Sequence, residues 1–332
     1  MNTPFMEKIL SPGCVLCHEG AKMVLFITGT CRRTCWYCPL SFERKGRDHI
    51  YANEKRIECP DDAVREALRM SALGTGITGG EPLDRLDRVI AFARRLKEEF
   101  GPSHQIHLYT GIAPSREDLQ SLSGLVDEIR LHPPQELWDT ILETPFVESV
   151  REARRQGFVA GFEVPALPGI KCLECVLSEL DFLNINELEW GESNAGEMRR
   201  RGYEPEDGVH NAVLGARTWA EPLISHQKVH WCSSQFKDSV QLRRRLQRIA
   251  RNTARSFDEV TDDGTVVYGM TGRESVPPDL LGELDDDMYE VRDNTLEMAW
   301  WILVELADRI PGDKAVVESY PDHGIIVEVT PL

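Results

Sequence analysis

Nowhere is the chain apolar over the roughly 18 residues that a membrane-spanning helix needs, and residues 1–10 have neither the basic start nor the long apolar run of a secretory signal. A cytoplasmic protein with no membrane association is expected. Basic residues are scarce: 38 Lys and Arg stand against 55 Asp and Glu, a formal charge of −17. So acidic a surface repels a phosphate backbone, which makes nucleic acid a poor partner. One segment departs from this. Lys237, Arg243, Arg244, Arg245, Arg248, Arg251 and Arg255 face only Asp238 between residues 237 and 255. Such a run reads first as a solvated helix face paired with acidic neighbours, and second as a local anion site. Internal repeats and low-complexity tracts are also missing, so a solenoid or array is excluded.

What is present is a chain of 332 residues with nine cysteines. The length suits a large domain followed by a small one. In a reducing compartment, cysteines grouped at short spacings point to metal sites rather than disulfides. The groups are Cys31, Cys35 and Cys38; Cys14 and Cys17; Cys172 and Cys175; Cys59 and Cys232 are left over as ordinary thiols, with a small chance that Cys232 faces the site. From Met23 to Leu188, six apolar strand segments alternate with amphipathic helices. That order implies a parallel sheet with right-handed crossovers and a site at the carboxyl ends of its strands. Six units are too few to close an eight-stranded barrel, so the expected fold is α/β, a partial (β/α)6 TIM-like barrel followed by a small α+β C-terminal domain. The boundaries are 1–22 for an N-terminal metal-knuckle segment, 23–190 for the barrel, 191–236 for a polar bridging extension and 237–332 for the C-terminal domain. Within the last, Asn294 is expected to cap a helix reaching Ile310, with Glu297 completing a capping box. A hairpin is expected to turn through residues 321–324.

Cys31-x-x-x-Cys35-x-x-Cys38 follows the first strand. Three thiolates can hold three corners of a 4Fe–4S cube and leave one iron open. S-adenosylmethionine (SAM) can chelate that iron, and one electron then cleaves its C–S bond to give a 5′-deoxyadenosyl radical. A zinc site is the competing reading, but zinc favours four ligands in paired knuckles. CRRTCWYC resembles the signature of the radical SAM superfamily over residues 20–190. The resemblance implies that Tyr37 lies near the adenine and that Gly79, Gly80 and Glu81 present backbone groups and a carboxylate to the SAM amino group. Arg130, His132 and Glu163, at or near strand ends, are further candidates, each weighed against a purely fold-stabilising role.

Cys14-x-x-Cys17 and Cys172-x-x-Cys175 are two knuckles that can combine into one four-thiolate site for zinc or a single iron. CVLCH also fits a c-type haem attachment motif, which requires export. The start GCVLCHEGAKMVLFITG, the knuckles and the acidic C-terminal part are similar to an archaeal group that includes cobalamin-dependent radical SAM methyltransferases acting on methyl-coenzyme M reductase. This resemblance implies cobalamin as a further cofactor, a protein substrate (the reductase α subunit), a reductant protein, and C-methylation of a glutamine as the reaction. A role in methanogenesis follows from it. Yet there is no cobalamin-binding Rossmann segment, and His323 in YPDHG does not supply its motif. A corrin would then need other cover, for which Met298, Trp300 and Trp301 are candidates, although Trp300 also fits a helix core stripe. The readings kept beside methylation are a cobalamin-free radical SAM enzyme, such as a glycyl-radical activase or a tRNA-modifying enzyme, and a non-enzymatic metal-binding module.

Overall fold

The computed structural model describes residues 10–208 and 211–332. Residues 1–9, part of the expected knuckle segment, and residues 209 and 210 of the bridging extension lie outside the described residues. The chain forms two compact units, one running through Leu68 and over Ala72–Gln241, the other made of Arg69–Ser71 and Leu242–Leu332. No helix among the described residues is long and apolar enough to cross a membrane.

The first unit opens with helix α1 (Pro12–His18), then β1 (Lys22–Phe26), a short hairpin of β2 (Ile50–Ala52) and β3 (Lys55–Ile57), and α2 (Pro60–Arg69). Next come β4 (Gly74–Thr78), α3 (Leu86–Phe100), β5 (Gln105–Thr110), α4 (Arg116–Leu122), β6 (Glu128–Leu131), α5 (Pro145–Arg155) and β7 (Val159–Pro165). β8 (Leu183–Asn186), α6 (Ala195–Arg200), α7 (Ala216–Ile224) and β9 (Val229–Cys232) complete it. The sheet order is β3-β2-β1-β4-β5-β6-β7-β8-β9, parallel from β1 onward, with the hairpin antiparallel on β1. The open α/β barrel is therefore present, with β9 as a seventh parallel strand beyond the six expected.

These strands are buried on both faces, and so they read as continuous apolar runs. Met23, Leu25, Ile77, Leu108, Ile129, Phe162 and Ile185 are fully buried. The helices cover the outer face with stripes at helical spacing, such as Val89, Phe92, Ala93 and Leu96 of α3. Ser115 and Asp118 form a reciprocal capping box at the start of α4.

The second unit is an antiparallel sheet. Its strands are β10 (Glu259–Val260), β11 (Val266–Gly272), β12 (Tyr289–Arg292), β13 (Thr295–Met298), β14 (Lys314–Ser319) and β15 (Ile326–Pro331). The order is β12-β13-β11-β14-β15, with β10 on β11. The hairpin around residues 321–324 is present. The long helix from Asn294 is not: that segment is strand β13 followed by a helix over Trp300–Glu305 only. Asp293 takes a left-handed φ of 52° and turns β12 back into β13, so Asn294 belongs to a hairpin turn and not to a helix cap.

Two buried histidines, His104 and His107, and the half-buried His132 make the fold acid-sensitive. Burial lowers the pKa of His104 from 6.5 to about 4, aided by Lys22 and Lys97. His107 and His132 move the same way, also chiefly through burial. The unfolded chain then takes up protons below pH 6.5 that the folded chain refuses. Stability is full above 6.5 and falls as pH drops toward 4. Between pH 7 and pH 5, His104 alone is expected to cost about 2 kcal/mol. A urea midpoint that held steady or rose over this interval would contradict it.

Candidate active site

The loop after β1 carries Cys31, Cys35 and Cys38. Cys31 is exposed and the other two are half-buried, and all three line a cavity of about 290 Å³. That is the size class of a small-molecule site. The loop after β4 braces it from below. Gly80 N–H donates to Thr28 O at 2.6 Å and Glu81 N–H to Thr30 O at 2.8 Å. A Cβ on Gly80 would stand 2.2 Å from Thr30 O, a backbone atom that cannot step aside cheaply. Gly80→Ala is thus expected to push the cysteine loop outward, costing about 1–3 kcal/mol of stability and weakening SAM binding, as equilibrium dialysis of the reconstituted protein would show.

Glu81 is fully buried. Its Oε1 accepts from Leu83 N–H at 3.0 Å and Thr110 Oγ1 at 2.7 Å, and its Oε2 from Gly111 N–H at 2.8 Å. Burial still pushes its pKa up against these donors. Glu81 lines the cavity while tying β4 to the end of β5. Tyr37 is buried, with its hydroxyl 2.9 Å from His132 Nε2. His132 Nδ1 lies 2.9 Å from Glu163 O, which can only accept. Nδ1 is therefore the protonated nitrogen, and Nε2 accepts from Tyr37. Burial lowers the His132 pKa, so the ring is held neutral in that tautomer.

Opposite the cysteines the cavity has a polar wall of Glu163, Asn186, Glu187, Glu189 and Lys237, with Lys237 Nζ 2.8 Å from Glu189 Oε1. The extension after Trp190 buttresses the cysteine loop. Asn194 Nδ2 donates to Tyr37 O at 3.0 Å, and Ser193 Oγ donates to Cys38 O at 2.9 Å. Trp36 stacks on Tyr203, ring centroids 5.8 Å apart, and Arg201 lies 4.1 Å over Trp36. Of these, Glu163 was a candidate from sequence and Lys237 was noted only within the basic run, while Asn186, Glu187, Glu189 and Asn194 escaped the sequence reading. Its one signal was Asn184 and Asn186 at alternate positions of an otherwise apolar strand.

The residues fit a 4Fe–4S cluster with one open iron. Three thiols and no fourth share one loop, they face one cavity, and Arg33 N–H already donates to Cys31 Sγ at 3.3 Å. Backbone N–H groups on cluster sulfurs are usual company for such clusters. Arg130 and Glu163 have a different place. Arg130 Nε is 2.6 Å from Glu128 Oε1, and its Nη1 is 2.7 Å from Glu163 Oε2. Arg130 lies in the barrel interior and does not line the SAM-sized cavity; Glu163 does.

The two knuckles do not come together. Cys14 and Cys17 sit on α1, whose Leu16 packs at Gly74, the amino end of β4. Cys172 and Cys175 sit on a 3-10 turn that follows the carboxyl end of β7. There Cys172 Sγ donates to Asp139 at 3.0 Å and Cys175 Sγ to Cys172 O at 3.1 Å. Cys14 and Cys17 line a cavity whose wall includes neither Cys172 nor Cys175. Among the described residues, no three His, Cys, Asp or Glu side chains already stand in a ligand arrangement, the cluster cysteines included. Of the basic run, Lys237 pairs with Glu189, and Arg255 with Asp258, Glu290 and Glu297. The pairing with acidic neighbours is as expected, but Lys237 and Arg255 make it largely out of solvent rather than on a solvated face. Met298 is fully buried in the core of the second unit, and Trp300 donates to Glu259 at 2.6 Å. Met298 therefore offers no face to a corrin; Trp300 is half-buried and Trp301 exposed.

Comparison with known proteins agrees with the geometry. A family of 4Fe–4S single cluster domains matches residues 17–156, and a domain of unknown function, DUF8061, matches residues 264–332. A Methanocaldococcus jannaschii protein, named as a candidate glycyl-radical enzyme activating enzyme, is 36% identical over 314 residues, spanning 88% of this chain and 80% of its own. Two Streptococcus suis SuiB structures also align. One is bound to S-adenosylmethionine (TM-score 0.42, 12% identity) and one to precursor peptide SuiA (0.42, 11%), each over 64% of this chain. The chain spans about half the length of those structures (50% and 48%). With a three-cysteine loop against a glycine-rich second loop at the carboxyl ends of a parallel barrel, and a relative so close along most of its length, the chain belongs to the radical SAM superfamily and takes a 4Fe–4S cluster and SAM as cofactors.

Proposed function

We propose that this protein abstracts hydrogen from a carbon of a protein substrate, as an enzyme that activates a partner by leaving a radical on its backbone. The observation that carries this reading is the cavity: Cys31, Cys35 and Cys38 on one side, Gly79–Glu81 beneath, and a wall of amide, carboxylate and ammonium groups opposite. Such a wall suits the amides of a peptide segment better than an apolar small molecule. The name of the M. jannaschii relative supports the activating role. In this reading Cys31, Cys35 and Cys38 hold the cluster, which with SAM supplies a 5′-deoxyadenosyl radical. Tyr37, oriented through neutral His132, lies against the adenine side. Glu81 and the Gly79–Gly80 backbone position the SAM amino group. Asn186, Glu187, Glu189 and Lys237 orient the substrate segment. A reductant protein delivers the electron.

A second reading is cobalamin-dependent C-methylation of a glutamine in the methyl-coenzyme M reductase α subunit. It is supported by the resemblance of GCVLCHEGAKMVLFITG to that archaeal group. Of the residues expected to face cobalamin, Met298 is buried in the second unit's core, and no step is assigned to that cofactor. The two readings differ in their products. Anaerobic turnover with a reductant and a partner protein is expected to yield 5′-deoxyadenosine and methionine, with a glycyl-radical signal in electron paramagnetic resonance. S-adenosylhomocysteine in proportion to 5′-deoxyadenosine, with a mass gain of one methyl on the partner, would replace the first reading by the second.

A further inference from the structure

A second cavity lies within the barrel unit. It is lined by Cys14, Cys17, His18, His230 and Cys232, with Arg130, Glu163, Asn184 and Lys237 among them. Two local periodicities bring these side chains together. On α1, positions 14, 17 and 18 are spaced i, i+3, i+4 and share one helix face. On β9, positions 230 and 232 alternate with Trp231 and share one strand face. The His18 and His230 rings stand 5.4 Å apart, centroid to centroid. Tyr109, Glu163, Asn186 and Lys237 line both this cavity and the active site, so one is the floor of the other.

Buried cysteines are usually inert core residues in apolar surroundings. These are not. Asn184 Nδ2 donates to Cys14 Sγ at 3.3 Å, and Arg130 Nη2 is 3.6 Å from the same sulfur. The two N–H donors at the Cys14 sulfur offset part of what burial does to it, for burial keeps all three thiols protonated until a cation takes the place of the protons. Asn184, fully buried in the same wall, also carries an amide oxygen that accepts no hydrogen bond from the described residues.

We propose that Cys14, Cys17 and Cys232, with one imidazole from His18 or His230, hold a tetrahedral divalent metal ion of the zinc class. Three thiolates and one neutral imidazole are a common tetrahedral set for such an ion. Uptake releases the thiol protons and leaves a net charge of −1 on the site, with the Arg130 and Asn184 N–H groups directed at the Cys14 sulfur. The ion would tie α1 to β9, the last strand of the open sheet, and so fix the floor of the active site. It replaces the expected pairing of Cys14 and Cys17 with Cys172 and Cys175.

The test uses the full chain with Cys31, Cys35 and Cys38 changed to serine, which removes the cluster ligands. Anaerobic titration with Co²⁺ is expected to give one equivalent of tetrahedral, thiolate-ligated cobalt, seen as sulfur-to-cobalt charge transfer with intense visible bands, and Zn²⁺ should displace it. Adding Cys17→Ser or Cys232→Ser should abolish the signal, while Cys172→Ser and Cys175→Ser leave it intact. Asn184→Ala should weaken binding by about 10-fold and, as the milder change, stands in if a thiol variant fails to fold. No tetrahedral signal in the parent overturns the site, and so does a signal lost with Cys172→Ser but kept with Cys232→Ser. None of these outcomes depends on the radical chemistry.

Discussion

Cys35→Ala is expected to drop 5′-deoxyadenosine formation from SAM to background after anaerobic reconstitution and reduction, with loss of the visible absorbance of the cluster. The three cysteines face one cavity from one loop, and no other thiol lines it to replace the missing one. A cube held at two corners has no defined open iron for SAM to chelate. Fold stability should change little, because Cys35 is half-buried in a loop and Cys38 N–H still donates to Cys35 O at 3.2 Å. Circular dichroism and the urea midpoint of the cluster-free protein check that point. Cys172→Ala is the control: its thiol only meets Asp139 outside the cavity, and SAM cleavage should survive. Full cleavage by Cys35→Ala would remove the three-cysteine assignment. Loss of cleavage in both variants would show that Cys172 reaches the cluster after all.

The barrel and its catalytic end were readable because both rest on strong local signals. Apolar runs buried on two faces, and cysteines and glycines in the loops after β1 and β4, all point one way. Where the reading failed, a short or polar element was involved. The β2–β3 hairpin has three-residue strands, one of them KRI, and turns at Asn53 with a left-handed φ of 50°. Strand β13 was mistaken for a helix because Asn294 and Glu297 have capping-box spacing, which hid the strand alternation of Leu296, Glu297 and Met298. Glu297 is nevertheless buried, since Arg255 pairs with it. Ion pairing that makes a carboxylate at home in a core leaves no mark in a hydrophobicity pattern. The knuckles show a different limit. Spacing shows which cysteines share a local face but not which distant face they meet. Only the placement of β9 brings His230 and Cys232 to the cavity that Cys14 and Cys17 line.

Arg130→Met should be the most destabilising single change in the barrel. The guanidinium is 2% exposed and reaches two buried carboxylates, Glu128 at 2.6 Å and Glu163 at 2.7 Å, along with the Tyr109 hydroxyl at 2.9 Å. Burial pushes the Glu163 pKa up, and Arg130, with Asn186 and Asn184, more than reverses it. A methionine fills much of the same space but leaves two carboxylates without their cation. Breaking a buried pair in this way costs about 3–5 kcal/mol. The loss should shrink in mild acid, where the stranded carboxylates can take up protons, and Glu128→Gln with Glu163→Gln in the same chain should recover part of it. Urea midpoints of wild type, single and triple variants at pH 7 and pH 5.5 separate these effects. A loss under about 1 kcal/mol at pH 7, or no recovery in the triple variant, would mean that Arg130 acts by packing alone. Because Glu163 lines the active cavity and its carbonyl orients His132, the destabilised variant should also lose SAM affinity. The triple variant, with its β7 backbone held in place, should regain part of that affinity along with its stability.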